Sequence, residues 1–364
     1  MRIAQVTPRY YPCVGGIETA IRQISERLSR QGYEIEVLTE DPRGQFPSEE
    51  VFGGVRIQRF RTSFNGWGSC FYQGGLKDYL KKYSGRYDLI HAHSYHAFPA
   101  LLAAHYKNGT KLVFSGHYHG KGHSWWHTFL LGLYKPLGQQ IVRRADRIIC
   151  YSQYEKLLII RDFKIDDAKI TVLPHGVNPE IEKAVPFVWE GPLLLYVGRL
   201  EKYKQIHLAL QAFTWLPSNY RMAIIGDGPY KNRLSDLIDK YHLNPRVKIL
   251  SGLSDEEVFR WYKTCSLVIN LSCQEAFGIT VLESLAADKP VLVNDETALG
   301  ELARALPGIS AVKASCITSE HLAREIFKAN QRAFEIPDLT PYQWDTIASH
   351  LGKLYEKVFF IKSH

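Results

Sequence analysis

Short apolar runs alternate along the chain with segments of helical periodicity. Residues 2–7, 89–93, 192–197 and 266–271 are runs of five or six residues with few charges, which is typical of strands buried on both faces of a parallel sheet. Segments with apolar residues every three or four positions follow such runs, as in 17–31. This order of strand and helix predicts an α/β fold built from doubly wound parallel sheets.

The length of the chain and a change in its pattern divide it into two halves. At 364 residues it is long enough for two domains, each with its own core. Proline and loose polarity at 174–192 predict the connection between them. We place an N-terminal domain at 1–178, a C-terminal domain at 179–340 and a last segment at 341–364, most of which is predicted to be helical.

Composition and charge narrow the possible partners. With 45% hydrophobic and 23% charged residues, the chain has the balance of a soluble globular protein, and no apolar run reaches the ~18 residues that span a bilayer. It begins without the apolar segment of a signal peptide, so we expect a cytoplasmic protein. A net charge of +8 favours an anionic partner: a nucleotide diphosphate, an anionic membrane surface or a nucleic acid.

The six cysteines are scattered, and no two of them form a Cys-x-x-Cys pair. This distribution predicts buried, reduced thiols, with neither a disulfide framework nor a zinc site. The residues are Cys13, Cys70, Cys150, Cys265, Cys273 and Cys316.

An acidic turn follows the apolar run 266–271. Glu275 lies at its end, and Glu283 lies eight residues later in a helix predicted at 277–287, about 12 Å away along the helix axis. Ligands bind where strand ends meet helix N-termini, and two carboxylates so spaced could hold hydroxyl groups on two parts of one extended ligand. Acidic residues near a helix start are also common because they suit the helix dipole, so both interpretations stay open.

Two cations follow the apolar run 192–197. Arg199 and Lys204 come after a turn at Gly198 and close to a helix start. Two cations and free backbone N–H groups in this arrangement could stabilise one anion, such as a diphosphate leaving group. A solvated pair of surface side chains is the alternative.

Glycine turns follow two other predicted strands. Gly15 and Gly16 precede the helix at 17–31, where the backbone could approach a phosphate or a sugar, although such a turn is only a connection in most proteins. Gly226 opens a tight turn before another helix. A dinucleotide-binding fingerprint is not completed there, because Lys231 occupies the position of its third glycine.

Histidines follow two further predicted strands. His93 ends the run 89–93, and His117 follows the strand predicted at 111–115, so both are expected at the same edge of the sheet. A histidine at a strand end can contact a substrate, but it is more often a structural hydrogen-bonding residue.

A second set of histidines recurs at every fourth position. The set is His119, His123 and His127. Gly120 and Gly122 interrupt any helix there, and no carboxylate or cysteine completes a ligand set, so we predict no metal site.

An aromatic segment at 124–135 carries leucines behind its rings, and four cations lie in or near it. It could insert shallowly into an anionic membrane surface, or it could be a helix packed on the sheet. The cations are Lys135, Arg143, Arg144 and Arg147.

Three of these motifs, in this order, resemble those of the retaining family 4 glycosyltransferases with the GT-B fold. They are a Pro-x-x-Gly-Gly-x-Glu loop that ends at Glu18, a Gly-Arg-Leu turn followed by Lys204, and a Glu-x7-Glu turn with Phe-Gly after its first glutamate. The chain departs from the family pattern at His175, where asparagine is usual, and at Gln205, where glycine is usual.

The resemblance implies two Rossmann-like domains that face each other across a cleft, with a C-terminal helix crossing back to the first domain. It implies that Glu275 contacts the donor sugar and Glu283 the nucleotide ribose, with Arg199 and Lys204 at the diphosphate. His117 is expected at the donor sugar. The donor-binding set is Gly15, Gly16, Gly198, Arg199, Lys204, Gly226, Glu275, Ala276, Phe277, Gly278, Ile279 and Glu283; the acceptor side is assigned Glu18, His93 and an aromatic loop at 63–72, predicted to be mobile.

The function implied is transfer of a hexose from a UDP- or GDP-linked sugar to a hydroxyl of a glycan, lipid or small molecule. The chain has no Asp-x-Asp motif, so we expect Arg199 and Lys204 to stabilise the departing diphosphate without a metal. The resemblance implies that the configuration is retained, by front-side displacement. We expect no cofactor beyond the donor substrate, and no nucleic-acid partner because the cations identified lie at strand ends. We expect the protein to lie in the cytoplasm. If its acceptor is a lipid, we expect it on the cytoplasmic face of the membrane. The alternatives are a non-catalytic nucleotide-sugar or nucleic-acid binding module and a GT-B sugar-nucleotide epimerase.

Overall fold

The computed structural model describes residues 1–13, 15–61, 74–120 and 125–360, apart from the side chains of residues 74 and 125–131. These residues form two compact units. One comprises the chain up to Gly176 together with the residues from Trp344 onwards, and the other is Val177–Gln343.

The first unit is built on a sheet of eight strands in the described part of the chain. The strands are β1 (Arg2–Val6), β2 (Glu34–Glu40), β3 (Glu49–Phe52), β4 (Val55–Phe60), β5 (Leu89–His93), β6 (Lys111–Ser115), β7 (Arg147–Cys150) and β8 (Ile170–Val172). Their order is β3-β4-β2-β1-β5-β6-β7-β8, and every pair is parallel except β3 with β4. The order reverses between β1 and β5, and the strand ends at such a point form the ligand-binding crevice of a doubly wound sheet.

Helices connect these strands and cover the sheet. They are α1 (Gly16–Arg30), α2 (Gly74–Tyr83), α3 (Phe98–His105), α4 (Trp125–Arg144) and α5 (Gln153–Phe163). In α1 the residues Ala20, Ile21, Ile24 and Leu28 are buried, because apolar residues three or four positions apart share one face of a helix.

The second unit begins with a short helix, α6 (Glu180–Lys183), and contains an all-parallel sheet. Its strands are β9 (Leu193–Val197), β10 (Arg221–Ile225), β11 (Val247–Leu250), β12 (Leu267–Asn270), β13 (Val291–Asn294) and β14 (Ile309–Val312). Its other helices are α7 (Ile206–Phe213), α8 (Lys231–Lys240), α9 (Asp255–Thr264), α10 (Ile279–Ala286), α11 (Ala298–Ala305) and α12 (Ser319–Gln331). The strand order β11-β10-β9-β12-β13-β14 is that of a Rossmann fold, with its reversal between β9 and β12.

The last helix, α13 (Trp344–Phe360), packs on the first unit. It contacts α1, where Asp345 pairs with Arg27 at 3.0 Å. Its fully buried Tyr355 accepts a hydrogen bond from the Gln5 side chain on β1. The sequence prediction of two α/β domains with a C-terminal helix that returns to the first is therefore confirmed.

Several local predictions were wrong or lie outside the described residues. β3, α11 and β14 were not predicted from the sequence. The loop predicted at 63–72 lies entirely outside the described residues, and nothing tests it. Of the cysteines expected to be buried, Cys150 and Cys265 are buried, but Cys13, Cys273 and Cys316 are exposed.

Candidate active site

The carboxyl ends of β9 and β12 lie side by side in the second sheet, at the reversal of strand order where doubly wound sheets bind ligands. The turn after β9 carries Arg199 and Lys204, and the turn after β12 carries Glu275. The Cys273 N–H donates to the Tyr203 carbonyl at 3.0 Å, which ties the two turns together. The fold thus brings residues 71 positions apart to one place.

Lys204 and Glu275 form an ion pair between these turns. Lys204 Nζ lies 2.7 Å from Glu275 Oε2, and the two side chains are only 15% and 19% exposed. Burial alone lowers the pKa of the Lys204 ammonium, but the Glu275 carboxylate outweighs it and the pKa is raised. The site therefore holds a charged ammonium in partly dehydrated surroundings, where its interaction with an anion is stronger than in water.

Arg199 lies near this pair but contacts another residue. Its side chain is 64% exposed and pairs with Glu201. Its charge opposes, without cancelling, the rise in the pKa of the Lys204 ammonium. The two cations therefore repel each other, and an anion between them would relieve the repulsion.

Glu283 lies on α10 and is held from α9. The hydroxyl of the fully buried Tyr262 donates to Glu283 Oε2 at 2.7 Å. Burial raises the pKa of the Glu283 carboxyl, and the hydrogen bond from Tyr262 opposes that rise. The sequence analysis did not identify Tyr262. The feature that could have indicated it is the presence of an aromatic residue inside an amphipathic helix.

The predicted start of the helix after Glu275 was wrong. The helix begins at Ile279 and not at residue 277. Gly278 takes φ +110°, and a Cβ there would lie 2.4 Å from Leu299 Cδ2. Glu275 therefore precedes the helix in a turn with Ala276 and the buried Phe277, and the separation of 12 Å along a helix axis does not apply.

Buried polar side chains that sequence reasoning also missed fix this turn. Asn270 Nδ2 donates to Thr280 Oγ1 at 2.9 Å, and Asn294 Nδ2 donates to the Ser272 carbonyl at 3.1 Å. The Ser272 hydroxyl donates to the carbonyl of Gln274 at 3.0 Å. An asparagine near the end of an apolar run was the signal that could have found the first two.

Two glycines let the ends of β9 and β10 approach each other. Gly198 and Gly226 take φ +146° and +152°, and a Cβ on Gly226 would lie 1.9 Å from the Gly198 carbonyl oxygen. The Leu200 N–H donates to the Asp227 carbonyl at 2.9 Å across the same junction. Gly226 therefore has a packing role that the sequence alone did not show.

Gln205 occupies a backbone conformation that suits glycine. It takes φ +55° and ψ +28° directly before α7, which costs a residue with a side chain roughly 1–2 kcal/mol. Its Oε1 is buried without a hydrogen-bond partner among the described residues. We therefore expect Gln205→Gly to raise the free energy of unfolding by about 0.5–1 kcal/mol, measured by urea denaturation.

Gln211→Gly is the matched control, because Gln211 lies within α7. There the same substitution should lower the free energy of unfolding by about 1 kcal/mol. A loss of stability in both variants would show that the Gln205 side chain makes a contact worth more than the backbone strain.

In the first unit, the loop after β1 leads into the N-terminus of α1. Gly16 is the first helical residue, and Glu18 lies in the first turn. A Cβ on Gly15 would lie 2.2 Å from Glu18 Oε2, so glycine at position 15 leaves room for that carboxylate. The structure places these three residues together beside the strand-order reversal of the first sheet.

His93 and His117 lie at the carboxyl ends of the neighbouring strands β5 and β6, with ring centroids 6.1 Å apart. His93 is 3% exposed. His117 takes φ +48° and stacks on the Tyr151 ring at 4.6 Å. Burial lowers the pKa of His117 to about 3 and the pKa of His93 well below its usual value, so both imidazoles are neutral at pH 7.

Glu155 joins the loops that carry His117 and Tyr151, and sequence reasoning missed it. It is fully buried; Oε1 accepts the Tyr118 N–H at 2.7 Å and Oε2 accepts the Tyr151 N–H at 2.8 Å. Burial raises the pKa of its carboxyl to about 7. One side chain thus fixes the backbone on both sides of the His117–Tyr151 stack.

We expect Glu155→Gln to lower the free energy of unfolding by about 1–3 kcal/mol, because a carboxamide offers one acceptor to two N–H groups. The folded pKa lies above the unfolded value, so the stability that the wild-type carboxyl contributes is greatest in acid and is lost as the pH rises through 7. The cost of the substitution should therefore be larger at pH 5 than at pH 8, by about 2 kcal/mol. Urea denaturation at both pH values measures it, and equal costs would contradict this account.

Neither a set of metal ligands nor a membrane-spanning helix is found in the described part of the chain. No group of three or more His, Cys, Asp or Glu among the described residues could hold a metal ion. His123 and the side chain of His127 lie outside those residues, so the expectation about the set that begins at His119 stays a prediction. Among the described helices, none combines the length and the hydropathy needed to cross a bilayer.

Comparison with known proteins defines the class of this fold. The chain is 26% identical over 400 residues to a glycogen synthase of Mycobacterium tuberculosis, with 98% of this chain and 94% of that protein covered. It is 24% identical over 330 residues to an alpha-monoglucosyldiacylglycerol synthase of Acholeplasma laidlawii, with 80% of each covered. The Anabaena protein HepE, solved in complex with UDP and glucose, superposes with a TM-score of 0.73 at 18% identity over 99% of this chain and 95% of that one. The protein is a GT-B hexosyltransferase that uses a nucleotide-sugar donor.

Two family models place the chain within that class. The model described as Glycosyltransferase Family 4 matches residues 14–181, and the model described as Glycosyl transferases group 1 matches residues 177–329. The chain belongs to this family of glycosyltransferases, which confirms the resemblance found in its motifs.

Proposed function

We propose that the protein is a retaining hexosyltransferase that moves a hexose from a UDP- or GDP-linked donor to a hydroxyl acceptor without a metal ion. The Lys204–Glu275 pair carries this proposal. A positioned ammonium stabilises the charge that develops on a departing diphosphate, and a carboxylate accepts hydrogen bonds from sugar hydroxyls. The solved complex of HepE with UDP and glucose supports UDP-glucose as the first donor to test.

In the proposed reaction the acceptor hydroxyl attacks the anomeric carbon from the face on which the diphosphate leaves. The bond from that carbon to the phosphate oxygen breaks, the bond to the acceptor oxygen forms, and the hydroxyl proton passes to the departing phosphate. Lys204 and Arg199 stabilise the diphosphate and Glu283 holds the ribose. Glu275 positions the sugar. The roles proposed for residues of the first unit are contact with the sugar for His117 and contact with the acceptor for Glu18 and His93.

Release of nucleoside diphosphate from a panel of UDP-, GDP- and ADP-sugars tests the proposal, with and without candidate acceptors. We expect release that depends on the acceptor, and NMR of the product should show the anomeric configuration of the donor. An inverted product contradicts the proposed mechanism. Acceptor-independent conversion of the donor sugar identifies an epimerase instead, and salt-dependent oligonucleotide binding without turnover identifies a nucleic-acid binding module.

We further propose a lipid-linked acceptor and a site of action on the cytoplasmic face of the membrane. On α4, Leu133 is 64% and Leu137 is 43% exposed, and the exposed Lys135, Arg143 and Arg144 lie on the same helix. Exposed leucines beside cations suit shallow binding to an anionic surface. The Acholeplasma relative is named for a glucosylated diacylglycerol, which supports the same class of acceptor.

We expect the double variant Leu133→Ser, Leu137→Ser to lose binding to vesicles that contain anionic phospholipid, measured by co-sedimentation. Leu157→Ser is the matched control, because Leu157 is equally exposed but lies on α5. Equal binding of the wild type and the double variant would show that α4 is not the membrane-facing surface.

A further inference from the structure

The turn after β9 contains a second ion pair besides the one between Lys204 and Glu275. Arg199 Nη2 pairs with Glu201 Oε1, two positions further along the chain. The Glu201 side chain is only 15% exposed, whereas Arg199 reaches into solvent. Each of the two cations proposed to stabilise the diphosphate is therefore already paired with a carboxylate.

The backbone of the turn holds Glu201 between these two cations. The Glu201 N–H donates to the Arg199 carbonyl at 3.1 Å, and the Lys204 N–H donates to the Glu201 carbonyl at 3.1 Å. Both bonds close within the turn itself. A change in the position of the Glu201 carboxylate therefore requires rotation of its side chain, because its backbone is fixed.

The ring of Tyr203 shows that the four charged groups surround one place. Lys204 Nζ lies 5.3 Å from the centroid of this ring. Burial raises the pKa of the Tyr203 hydroxyl. The Lys204 and Arg199 cations oppose that rise, and the carboxylates of Glu275 and Glu201 add to it. All four groups thus lie close enough to act on one hydroxyl, and they would act together on an anion bound beside it.

The two ion pairs cancel each other's charge before a ligand binds. A diphosphate can bind the Arg199 guanidinium only if it replaces the Glu201 carboxylate or shares the cation with it. In either case the carboxylate stays near the bound anion and repels it. Because Coulomb energy is proportional to the product of the charges, this repulsion grows with the charge of the diphosphate.

The diphosphate gains charge during sugar transfer. In a nucleotide sugar both phosphate groups are linked on two sides, so each carries one negative charge. After transfer the outer phosphate is a terminal group, and such a group loses its last proton with a pKa of about 6. At pH 7 the released nucleoside diphosphate therefore carries almost one more negative charge than the donor did.

We propose that Glu201 is a positioning residue that holds Arg199 in the empty site and competes with the diphosphate for it, which weakens binding of the spent nucleoside diphosphate more than binding of the donor. The inference rests on the proposed function, in which Arg199 binds the diphosphate. Tightly bound product slows the return of an enzyme to its free state, and product release limits the turnover of many enzymes. The second ion pair thus favours release at the cost of some donor affinity.

Calorimetric titration of the full-length protein with UDP and with UDP-glucose tests the proposal, or with GDP and the matching sugar should the donor be GDP-linked. Glu201→Gln keeps the size of the side chain and removes its charge. We expect its Kd for UDP to fall about fivefold or more and its Kd for UDP-glucose to fall by a smaller factor. Since Arg199 is exposed, the difference from the wild type should narrow in about 1 M salt. A UDP affinity that is unchanged or weaker in Glu201→Gln overturns the proposal.

Glu320→Gln is the matched control for the change in net charge. Glu320 also pairs with an arginine, Arg324, but both residues lie on α12 and outside the turns that carry the site. Its affinity for UDP should be that of the wild type. A gain as large as that of Glu201→Gln would show that net charge alone determines binding, which overturns the proposal.

The same substitution in an Arg199→Ala background tests whether Glu201 acts through Arg199. With no guanidinium to compete for, removal of the carboxylate should tighten UDP binding by a smaller factor than it does in the wild type, because residues in contact are not independent. An equal gain in both backgrounds means that Glu201 acts on the anion without Arg199, and the competition is then refuted.

Product inhibition separates this inference from the proposed function. In Glu201→Gln the inhibition constant of UDP in the transfer reaction should fall by the same factor as its Kd, a tightening that loss of a merely structural contact would not produce. A protein that binds UDP as described but transfers no sugar refutes the proposed function and leaves the competition for Arg199 established. A protein that transfers sugar while UDP inhibits the wild type and Glu201→Gln equally refutes this inference alone.

Discussion

Lys204→Ala should lower the turnover for sugar transfer at least tenfold, which corresponds to about 1.4 kcal/mol or more of lost transition-state stabilisation. In the wild type the Lys204 ammonium lies 2.7 Å from Glu275 Oε2 in partly buried surroundings. Removing it takes away the cation proposed to stabilise the leaving diphosphate. It also leaves the Glu275 carboxylate without its partner, where it would repel that same diphosphate. Steady-state release of nucleoside diphosphate measures the effect.

Lys202→Ala provides the matched control for this prediction. Lys202 lies in the same helical turn, at 202–204, and its side chain is exposed, so the variant should keep wild-type turnover. The double variant Lys204→Ala, Glu275→Ala should lose less than the product of the two single losses, because residues in contact are not independent. A Lys204→Ala enzyme as fast as Lys202→Ala would remove Lys204 from the proposed mechanism.

The central strands could be predicted from the sequence because burial on both faces makes them continuously apolar. β9, for example, is Leu-Leu-Leu-Tyr-Val with almost no exposed residue. The missed elements lack that signature. β3 is Glu-Glu-Val-Phe at the edge of the sheet with no fully buried residue, and α11 carries Gly300 inside its helix. At such positions tertiary packing, and not local pattern, decides the structure.

Only those site residues that directly follow a predicted strand could be identified from the sequence. Lys204 and Glu275 each come soon after an apolar run, so the sequence indicated that both lie at the carboxyl edge of the second sheet. Tyr262 and Glu155 were not identified, because each acts through a partner on another element. Glu155 and Tyr118 lie 37 residues apart, and no local pattern connects them. Sequence reasoning therefore identified groups proposed to touch substrate and missed the side chains that hold them.

Gly226→Ala should cost at least about 3 kcal/mol of the free energy of unfolding, because it combines an unfavourable backbone conformation with a direct overlap of atoms. The new Cβ would lie 1.9 Å from the Gly198 carbonyl oxygen. That atom is part of the backbone, so it cannot move away as a flexible side chain would. Relief requires the ends of β9 and β10 to separate, which would also displace the turn that carries Lys204. Urea denaturation followed by circular dichroism measures the loss.

Gly252→Ala isolates the part of this cost that comes from the backbone alone. Gly252 follows β11 in the same unit and takes φ +73°, but a Cβ at this position would meet no described atom within 4 Å beyond its chain neighbours. Its substitution should therefore cost only roughly 1–2 kcal/mol, the penalty of the left-handed conformation for a residue with a side chain. The difference between the losses of unfolding free energy in the two variants then measures how closely the turns at Gly198 and Gly226 must approach each other. Equal costs would mean that the second sheet can open at this junction without strain, and a site held that loosely could not keep Lys204 against Glu275.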